Sequence, residues 1–451
     1  MIQMRLSEAA GILNAGLYAE DLLFRGCSTD TRNPCEGALF IALHGENYDG
    51  HKFVDQAIQG GAVAAMVERE FNDPSLPMMI VQDTRRAMGE LASAWRTKFT
   101  LPVIAVTGSA GKTTVKEMLA SILSAHAPVL STYGNFNNDI GVPLTLFGLH
   151  GQHKFAVIEM GANHPGEIAN LAAMTKPSVA VITLCAPAHI EGFGSIDGVA
   201  EAKAEIFSGL RPEGVAIINV DDQYAASWQL KASGSKQLSF GMNSTADISG
   251  RNVELNLASG CSQFVMTTPD GEIDIKLNLL GLHNVRNALA AAACCVAIDI
   301  PLQQIKEGLQ RMQAVKGRMQ SRAGIKNSRI IDDTYNANPA SLEAAIQAAS
   351  ITSARCWLVL GDMGELGDAA VSSHQQAGEI ARAAGIERLY TLGELGEYAV
   401  QAFGTGARHY TDQATLIETL VSEMGEGLTV LVKGSRAMAM EHVVHSLVQG
   451  D

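Results

Sequence analysis

The sequence predicts an α/β protein of three domains: a small α/β domain, a central domain whose mostly parallel sheet carries added antiparallel hairpins, and a C-terminal doubly wound α/β domain. The first observation is the length of 451 residues, which corresponds to about three domains of roughly 150 residues each. The second is a series of short apolar runs with helical spacers, PVIAV, FAVIEMG, SVAVITLCA and GVAIINVDD, which is typical of a buried parallel sheet. The third is a later series of the same kind, SRIIDDTY, CWLVLGD, ERLYTLG and LTVLVKGS.

The composition limits the classes of partner. A hydrophobic fraction of 47% is enough for several cores, and a net charge of −14 argues against a general surface for nucleic acid or polyphosphate. Anions are therefore expected to bind only at local sites. The longest apolar run, at 288–298, is far shorter than the ~20 residues that span a bilayer, and the N-terminus does not resemble a signal peptide. We expect a cytoplasmic monomer without membrane insertion.

The three domains follow one another along the chain. The first is predicted over residues 1–83, where the strand candidates GALFIAL, GAVAAMV and MMIVQD alternate with turn residues. A helix-like segment from Thr84 to Phe99 opens the central domain, predicted over 84–314. Alternating runs between 237 and 281 predict antiparallel hairpins within it. A helix around 284–298 then precedes the C-terminal domain, predicted over 315–451.

The strongest local signal is the segment TGSAGKTT, which lies between a predicted strand and a predicted helix. Glycines let a backbone wrap closely around phosphates, and a helix N-terminus offers them free N–H groups. Lys112 supplies a cation, and the Thr113 hydroxyl is suited to Mg²⁺. A general P-loop has glycine where this chain has Val106, but the order of strand, GKTT and helix favours a phosphate site over a turn that binds nothing. The residues assigned to this site are Gly108, Ser109, Ala110, Gly111, Lys112, Thr113 and Thr114.

Three further residues are ambiguous when each is considered alone. Glu159 ends a buried strand, where an acid either suits Mg²⁺ or caps a neighbouring loop. His189 follows the next buried strand, and a single loop histidine is more often structural than a metal ligand. Lys203 lies between two glutamates on a predicted helix, so its local sequence is typical of a surface lysine.

Polar residues also mark the approach to the C-terminal domain. Asn284 and Asn287 lie at the start of the alanine-rich helix, where asparagine is commonly only a cap. Arg318 lies in the presumed linker, and the first strand of the domain runs into DDTYNANP. The segment KGSR at 433–436 follows a later strand, so its two cations and Arg318 are expected to meet anionic groups at a cleft.

Taken together, these segments resemble a known family. TGSAGKTT, IEMGA, the histidine of APAHIEGFGS, AKAEIF, GLHNVRNA, GR and DDTYNANP occur in the order found in Mur ligases, ATP-dependent amide-forming enzymes of peptidoglycan precursor synthesis. The resemblance extends over residues 102–436, and the joint order is far more specific than any single motif. The segment STDTR at 28–32 and the following GALFIALHGENYDGHKF resemble the N-terminal uridine-nucleotide-binding domain of the two later-acting members.

Two segments distinguish between those two members. FNNDIGVPLTL and LVLGDMGELG resemble the member that adds a dipeptide, and the Asp-Asn-Pro signature usual in the member that adds a diamino acid is absent. The resemblance implies ATP-dependent addition of D-alanyl-D-alanine to UDP-N-acetylmuramoyl-tripeptide through an acyl phosphate, with release of ADP and phosphate. It further implies a Rossmann-like C-terminal domain that closes over ATP and binds the dipeptide.

The same resemblance implies roles for individual residues. ATP and Mg²⁺ are the implied cofactors, with one Mg²⁺ on Thr113 and Glu159 and a second on His189 and a carbamate that CO₂ forms with Lys203. The implied catalytic residues are Lys112, Glu159, His189 and Lys203. The implied ATP site adds to the P-loop Asn284 and Asn287 near adenine, Arg318 at the γ-phosphate and Asp333 at the ribose. The implied substrate site comprises Ser28, Thr29, Asp30, Arg32, Asn137, Asn138, Tyr335, Asn336, Lys433, Ser435 and Arg436.

Other functions remain open at this stage. One alternative is the sister ligase that adds a diamino acid to UDP-N-acetylmuramoyl-dipeptide. A folylpolyglutamate-type ligase would share the central domain, but the uridine-type first domain argues against it. A nucleotide-dependent switch would need only the P-loop and would leave Glu159, His189, Lys203 and the C-terminal residues unexplained.

Overall fold

The computed structural model describes residues 1–45, 48–71, 73, 75–187, 190–243, 245–256, 260–352 and 355–449. Its strands form sheets of two, five, nine and six strands, in which parallel pairing predominates. The predicted α/β fold class is therefore confirmed. Within the described ranges, no helix combines the length and apolarity needed to cross a bilayer.

The N-terminal part of the chain forms two small sheets. Its elements are β1 (Gln3–Arg5), α1 (Leu6–Leu13), β2 (Gly16–Tyr18), β3 (Leu23–Arg25), β4 (Cys27–Ser28), β5 (Leu39–Ile41), α2 (Val54–Gln59), β6 (Ala64–Glu68) and β7 (Met78–Val81). β1 pairs with β3, and the larger sheet has the order β2-β7-β6-β5-β4. Because β4 to β7 run parallel, the loops that follow them share one edge of the sheet.

The middle of the chain forms the largest sheet. Its elements are α3 (Thr84–Thr97), β8 (Val103–Thr107), α4 (Lys112–Ser124), β9 (Val129–Ser131), α5 (Gly141–Phe147), β10 (Phe155–Glu159), α6 (Glu167–Thr175), β11 (Val179–Ile182), α7 (Ile190–Phe193), α8 (Ile196–Ala204), β12 (Val215–Asn219), α9 (Ala225–Lys231), β13 (Lys236–Gly241), β14 (Ile248–Asn256), β15 (Cys261–Thr268), β16 (Gly271–Leu277), α10 (Leu282–Val296) and α11 (Leu302–Arg311). The order is β16-β15-β14-β13-β12-β11-β8-β10-β9.

The antiparallel part of this sheet is smaller than the sequence predicts. β14, β15 and β16 form the expected antiparallel meander. β13, however, runs parallel to both β12 and β14, so it extends the parallel part of the sheet. The chain reaches β13 after crossing over through α9, and such a crossover returns it in the direction of β12.

The C-terminal part of the chain forms a separate doubly wound sheet. Its elements are β17 (Gln320–Ala323), β18 (Arg329–Asp333), α12 (Pro339–Thr352), β19 (Cys356–Gly361), α13 (Ala370–Ala383), β20 (Arg388–Leu392), α14 (Gly396–Phe403), β21 (Ala407–Tyr410), α15 (Gln413–Glu423), β22 (Thr429–Lys433) and α16 (Glu441–Leu447). The order is β17-β18-β22-β19-β20-β21, with only β17 antiparallel among these strands.

Strand β8 is buried on both of its faces, which fixes the loop that follows it. Val103 and Ala105 face one hydrophobic core, whereas Ile104 and Val106 face the other. Alternate residues of a strand point to opposite faces, so a strand between two helical layers needs an unbroken apolar run. PVIAV is such a run. Val106, which departs from a general P-loop, is a fully buried core residue here.

Helix α4, which begins at the P-loop lysine, is positioned by a close contact with α11. The Ser121 hydroxyl donates a hydrogen bond to the carbonyl oxygen of Gly308 at 2.7 Å. A Cβ atom at Gly308 would lie 2.3 Å from Ile122 Cα, which is backbone and cannot swing aside. Glycine therefore allows the two helix backbones to approach this closely.

We expect Gly308→Ala to destabilise the protein by about 1–3 kcal/mol, because the added methyl group would overpack the contact between α4 and α11. Urea unfolding would measure the loss. Gly151→Ala is the matched control, since no atom lies within 4 Å of a Cβ atom at that position. Equal stability of the two variants would contradict the importance of this contact.

Candidate active site

A cavity of about 670 Å³ lies where the central and C-terminal parts of the chain meet. The P-loop, Glu159 and Lys203 line it from the central part, and Arg318, Met319, Asp333, Tyr335 and Lys433 line it from the C-terminal part. β8, β10, β18 and β22 all direct their carboxyl ends toward it. Ligands of open α/β sheets bind at this edge, because loops after parallel strands converge there.

The P-loop needs its two glycines for steric reasons. Gly108 has φ +150°, and a Cβ atom there would lie 1.8 Å from the Thr183 hydroxyl oxygen. Gly111 has φ +81°, and its Cβ atom would lie 2.4 Å from Asn287 Oδ1. Both positions therefore combine a backbone conformation that favours glycine with a contact that an added Cβ atom could make only by displacing its neighbour.

The start of α4 presents a cation and a hydroxyl to the cavity. The Lys112 ammonium donates to the Gly108 carbonyl oxygen at 2.7 Å. Burial lowers the pKa of Lys112 and Arg318 lowers it further, while Glu159 opposes both. The Arg318 guanidinium lies 4.1 Å from the centre of the Tyr335 ring and donates to Thr113 Oγ1 at 3.0 Å. The C-terminal part of the chain thus touches the P-loop directly.

Glu159 is a buried acid with one oxygen available to a ligand. Asn137 Nδ2 donates to Oε1 at 2.8 Å, and the backbone N–H of Glu159 donates to Thr132 Oγ1 at 3.0 Å. Oε2 is buried and has no hydrogen-bond partner within the described part of the chain. A buried carboxylate oxygen needs a partner, and at a cavity wall a cation meets that need. Glu159 therefore holds the neighbouring loop through Oε1, while its second oxygen, Oε2, fits a metal ligand.

The described residues contain no group of three or more His, Cys, Asp or Glu side chains that could hold a metal ion, and this includes the surroundings of Glu159. A cation at Glu159 would consequently need further oxygen atoms from a hydroxyl group, a ligand or water. Mg²⁺ is bound in this way, through one or two carboxylates together with phosphate oxygens.

The structure does not place Lys203 at the surface, where its neighbours in the sequence would favour it. Its side chain is on α8, lines the cavity and is only 4% exposed, so Lys203 is not the surface lysine of which its local sequence is typical. Burial lowers its pKa to about 7, and the nearby Lys112 contributes to the same shift. A large fraction of the amine is then uncharged at neutral pH and is available as a nucleophile. His189, the predicted partner of Lys203, lies outside the described residues.

Asn284 and Asn287 are buried in the cavity wall and do not cap their helix. Asn284 Nδ2 donates to the Leu280 carbonyl oxygen at 2.9 Å, and Asn287 Nδ2 contacts Asn284 Oδ1 at 3.4 Å. Beside them, burial lowers the pKa of His283 to about 4, so its imidazole is neutral. This wall offers neutral polar groups, which suit a nucleotide base.

Lys433 is paired with a carboxylate of the C-terminal part of the chain. It is 2% exposed and forms an ion pair with Asp333. It also donates to the Asn336 carbonyl oxygen at 2.9 Å. The other oxygen of Asp333 accepts a hydrogen bond from the Met319 N–H at 3.1 Å. The charge of Lys433 is thus largely neutralised before any substrate arrives.

The other predicted substrate residues fall into two groups. Asn137, Asn138, Tyr335 and Asn336 line the cavity, whereas Ser28, Thr29, Asp30, Arg32, Ser435 and Arg436 are not among its lining residues. Arg436 pairs with Glu441 at 2.8 Å. Hydrogen bonds from Arg32 lower the pKa of Asp30 to about 2. None of these contacts tests a substrate role, so these assignments stay predictions.

Sequence reasoning missed several residues that shape the site. Asn338 Nδ2 approaches the Ser109 carbonyl oxygen at 3.4 Å, and Asn338 Oδ1 accepts from the Ser341 N–H at 2.9 Å at the start of α12. The Asn-Pro pair at 338–339 is a helix-start signal that could have indicated this cap. Thr183 donates to the Ala110 carbonyl oxygen, and Asn219 Nδ2 donates to the Thr183 carbonyl oxygen at 2.7 Å.

Three segments of the chain each match a domain of the same protein family. Residues 24–96 match the Mur ligase family catalytic domain. Residues 106–295 match the Mur ligase middle domain, and residues 317–436 match the Mur ligase glutamate ligase domain.

Individual proteins resemble the chain over nearly its whole length. UDP-N-acetylmuramoyl-tripeptide–D-alanyl-D-alanine ligase from Escherichia coli K12 is 45% identical over 99% of both chains, and the enzyme of that name from Haemophilus influenzae is 42% identical over 99% of both. A crystal structure of MurF from Acinetobacter baumannii has a TM-score of 0.93 at 34% identity, covering 99% of this chain and 98% of that one. MurF ligase from Thermotoga maritima in complex with ADP has a TM-score of 0.83 at 26% identity, covering 94% and 96%.

Lys203→Met should change how stability depends on pH. The lysine pKa is about 7 in the folded protein and about 10.5 when unfolded, so the unfolded chain binds the additional proton between these values. Wild-type stability should therefore rise with pH between about 7 and 10, by up to about 1.4 kcal/mol per pH unit, relative to the variant. Urea unfolding in CO₂-free buffers would measure the difference.

Lys231→Met is the control, because Lys231 is half exposed and pairs with Glu201 on the surface. Its stability should follow that of the wild type across the same pH range. Parallel curves for wild type and Lys203→Met would contradict the lowered pKa of Lys203.

Proposed function

Because this chain belongs to the Mur ligase family, we propose that it joins D-alanyl-D-alanine to UDP-N-acetylmuramoyl-tripeptide and converts ATP to ADP and phosphate in the same reaction. The substrates are those in the names of the E. coli and H. influenzae relatives. The reaction would contribute to peptidoglycan synthesis. Since it consumes ATP and a UDP-linked precursor, we propose that it takes place in the cytoplasm.

One observation of the structure supports ligation above all others. The P-loop, the free oxygen of Glu159 and the buried amine of Lys203 open into a single cavity, which Arg318 and Tyr335 complete from the C-terminal part of the chain. A nucleotide switch needs the P-loop alone, whereas phosphoryl transfer to a carboxylate needs phosphate, metal and acceptor sites together. The joint placement therefore favours the ligase.

The chemistry proceeds in two steps. A carboxylate oxygen of the tripeptide attacks the γ-phosphorus of ATP, the bond to the β-phosphate oxygen breaks, and ADP leaves. The amine of the dipeptide then attacks the acyl carbon, the C–O bond to phosphate breaks, and the amine loses a proton. A carboxylate is unreactive toward amines without this activation, because its leaving group would be an oxide.

The P-loop residues bind and orient ATP in this scheme. Lys112 and the N–H groups at the start of α4 neutralise the β- and γ-phosphates. Arg318 contacts the γ-phosphate in this scheme, and its hydrogen bond to Thr113 supports that role. Asn284 and Asn287 contact adenine, and Asp333 contacts the ribose. Orientation of the carboxylate against the γ-phosphorus supplies much of the rate enhancement.

Thr113 and Glu159 would hold one Mg²⁺, and His189 and Lys203 a second. Mg²⁺ supplies charge neutralisation of the phosphate oxygens during transfer. An ammonium at Lys203 would repel such a cation, whereas a carbamate would provide anionic oxygen. The uncharged amine that burial favours is the form that adds to CO₂, so we propose that Lys203 is carbamylated.

The C-terminal part of the chain also protects the intermediate. An acyl phosphate reacts with water as well as with amines, so the cavity must exclude water while the dipeptide is bound. Tyr335 and Arg318 cover the P-loop side of the cavity. We propose that Ser435 and Arg436 contact the dipeptide when the C-terminal domain closes.

Acceptor specificity tests the proposed function most directly. A dipeptide carries its carboxylate one residue farther from the amine than a free amino acid does, so a site built for one positions the other's amine poorly. We expect ligation with D-alanyl-D-alanine to exceed ligation with D-alanine, meso-diaminopimelate or L-lysine by about 100-fold or more in kcat/KM, the usual cost of misplacing a reacting group. Phosphate release and product mass would be measured with UDP-muramoyl-tripeptide as donor. Comparable addition of meso-diaminopimelate or lysine to UDP-muramoyl-dipeptide would instead identify the sister ligase.

Chemical rescue tests the carbamate on Lys203. Lys203→Ala should be nearly inactive, and formate or acetate should restore part of the activity by supplying the missing anionic oxygen. The same acids should not restore Lys112→Ala, whose lost group is a cation. Full activity of Lys203→Ala without additive would refute the proposed role.

A further inference from the structure

Arg85 is a cavity residue to which the reaction described so far gives no role. It lies in the first turn of α3, and its guanidinium holds the Asp139 carboxylate with two hydrogen bonds, one of them 2.6 Å from Nη2 to Oδ1. The two side chains are 49% and 45% exposed, and both line the cavity. The pair therefore stands at the cavity wall, where a ligand has access to it.

On one side, Arg85 adjoins the N-terminal sheet. The neighbouring Thr84 donates from its hydroxyl to the Ala42 carbonyl oxygen at 2.8 Å. Ala42 directly follows β5, and the parallel strand β4 ends at Ser28 beside it. The start of α3 and the segment at 28–32 therefore lie on the same edge of this sheet, where the uridine site is proposed.

On the other side, Arg85 adjoins the reacting centre. Asp139 is two residues from Asn137, whose amide donates to Glu159 Oε1 at 2.8 Å. Arg85 and Glu159 thus lie at the two ends of one short chain of contacts. A donor that has its uridine at the N-terminal sheet and its carboxylate near Glu159 must cross the wall that carries Arg85.

The remaining cations of the cavity are engaged elsewhere. Lys112 and Arg318 contact the P-loop, Lys433 is paired with Asp333, and Arg286 lies 3.7 Å from Asp221. Lys203 is buried and is assigned to the metal site. Arg85 is a half-exposed guanidinium of the cavity wall, and its chain neighbour Thr84 contacts the N-terminal sheet directly.

We propose that Arg85 binds the diphosphate of the UDP-linked donor, for which it releases Asp139. This inference rests on the proposed function, which supplies the class of donor. A planar guanidinium forms paired hydrogen bonds with phosphate as it does with carboxylate. A half-exposed ion pair contributes little net stability, so a diphosphate with two anionic groups can displace the single carboxylate.

The test compares binding of UDP with binding of uridine by titration calorimetry. Arg85→Gln should weaken UDP binding by about 10- to 100-fold, the range for loss of a hydrogen bond to a charged group. It should leave uridine binding unchanged, and in turnover it should raise KM for the donor without changing KM for ATP. Arg86→Gln is the matched control, because the adjacent Arg86 is 70% exposed, pairs with Glu90 and does not line this cavity.

Asp139→Asn separates a binding role from a structural one. If Arg85 serves the diphosphate, removing its competing carboxylate should leave UDP binding unchanged or tighten it. Equal weakening of UDP binding by Asp139→Asn and Arg85→Gln would mean that the ion pair is only structural, and would overturn the inference. An unchanged ratio of UDP to uridine affinity in Arg85→Gln, with normal wild-type ligation, would overturn it while leaving the proposed function intact. Absence of both UDP binding and ligation in the wild type would overturn both.

Discussion

The site depends on the close packing of the P-loop against two segments of the central part of the chain, the residue that follows β11 and helix α10. Cβ atoms at Gly108 and Gly111 would lie 1.8 Å from the Thr183 hydroxyl oxygen and 2.4 Å from Asn287 Oδ1, so a side chain at either position would displace its neighbour. The loop backbone therefore packs closely against these two segments, and α4 begins at the cavity wall. A preorganised phosphate site loses less conformational entropy on binding than a mobile loop does.

The same loop is also where the C-terminal part of the chain makes contact. Arg318 donates to Thr113, and the Asn338 amide reaches the Ser109 carbonyl oxygen. Both contacts are made to residues of the P-loop. Under the proposed function, ATP and the C-terminal domain would bind to adjoining groups, and a ligand that moved Thr113 or Ser109 would also shift that domain, which would couple ATP binding to domain closure.

The sequence predicted the sheet well where burial leaves a clear pattern, and poorly where position depends on distant contacts. Buried parallel strands such as β8 and β10 appear as unbroken apolar runs, because both faces are covered. β13 was assigned to the antiparallel part because its alternation does not reveal which neighbour it pairs with. Lys203 has glutamates at both flanks, as surface lysines do, and only the packing of α8 against the sheet buries it. Similarly, the pairing of Lys433 with Asp333 joins residues 100 positions apart.

The order of motifs along the chain predicts a cavity role for Lys203, whereas its local sequence favours a surface position, and the structure buries this lysine in the cavity wall. Motifs that occur in one order over three hundred residues indicate a shared tertiary structure. They therefore carry information about the burial of Lys203 that its immediate sequence neighbours lack.

The contacts in the structure nevertheless add information that the order of the motifs does not contain. The loop at 135–139 holds Glu159 through Asn137 and holds Arg85 through Asp139, which ties the N-terminal sheet to the reacting centre. Under the proposed function, the fold sets the separation between these two points, so a donor whose span from diphosphate to carboxylate matches that separation is bound better than a shorter or a longer one.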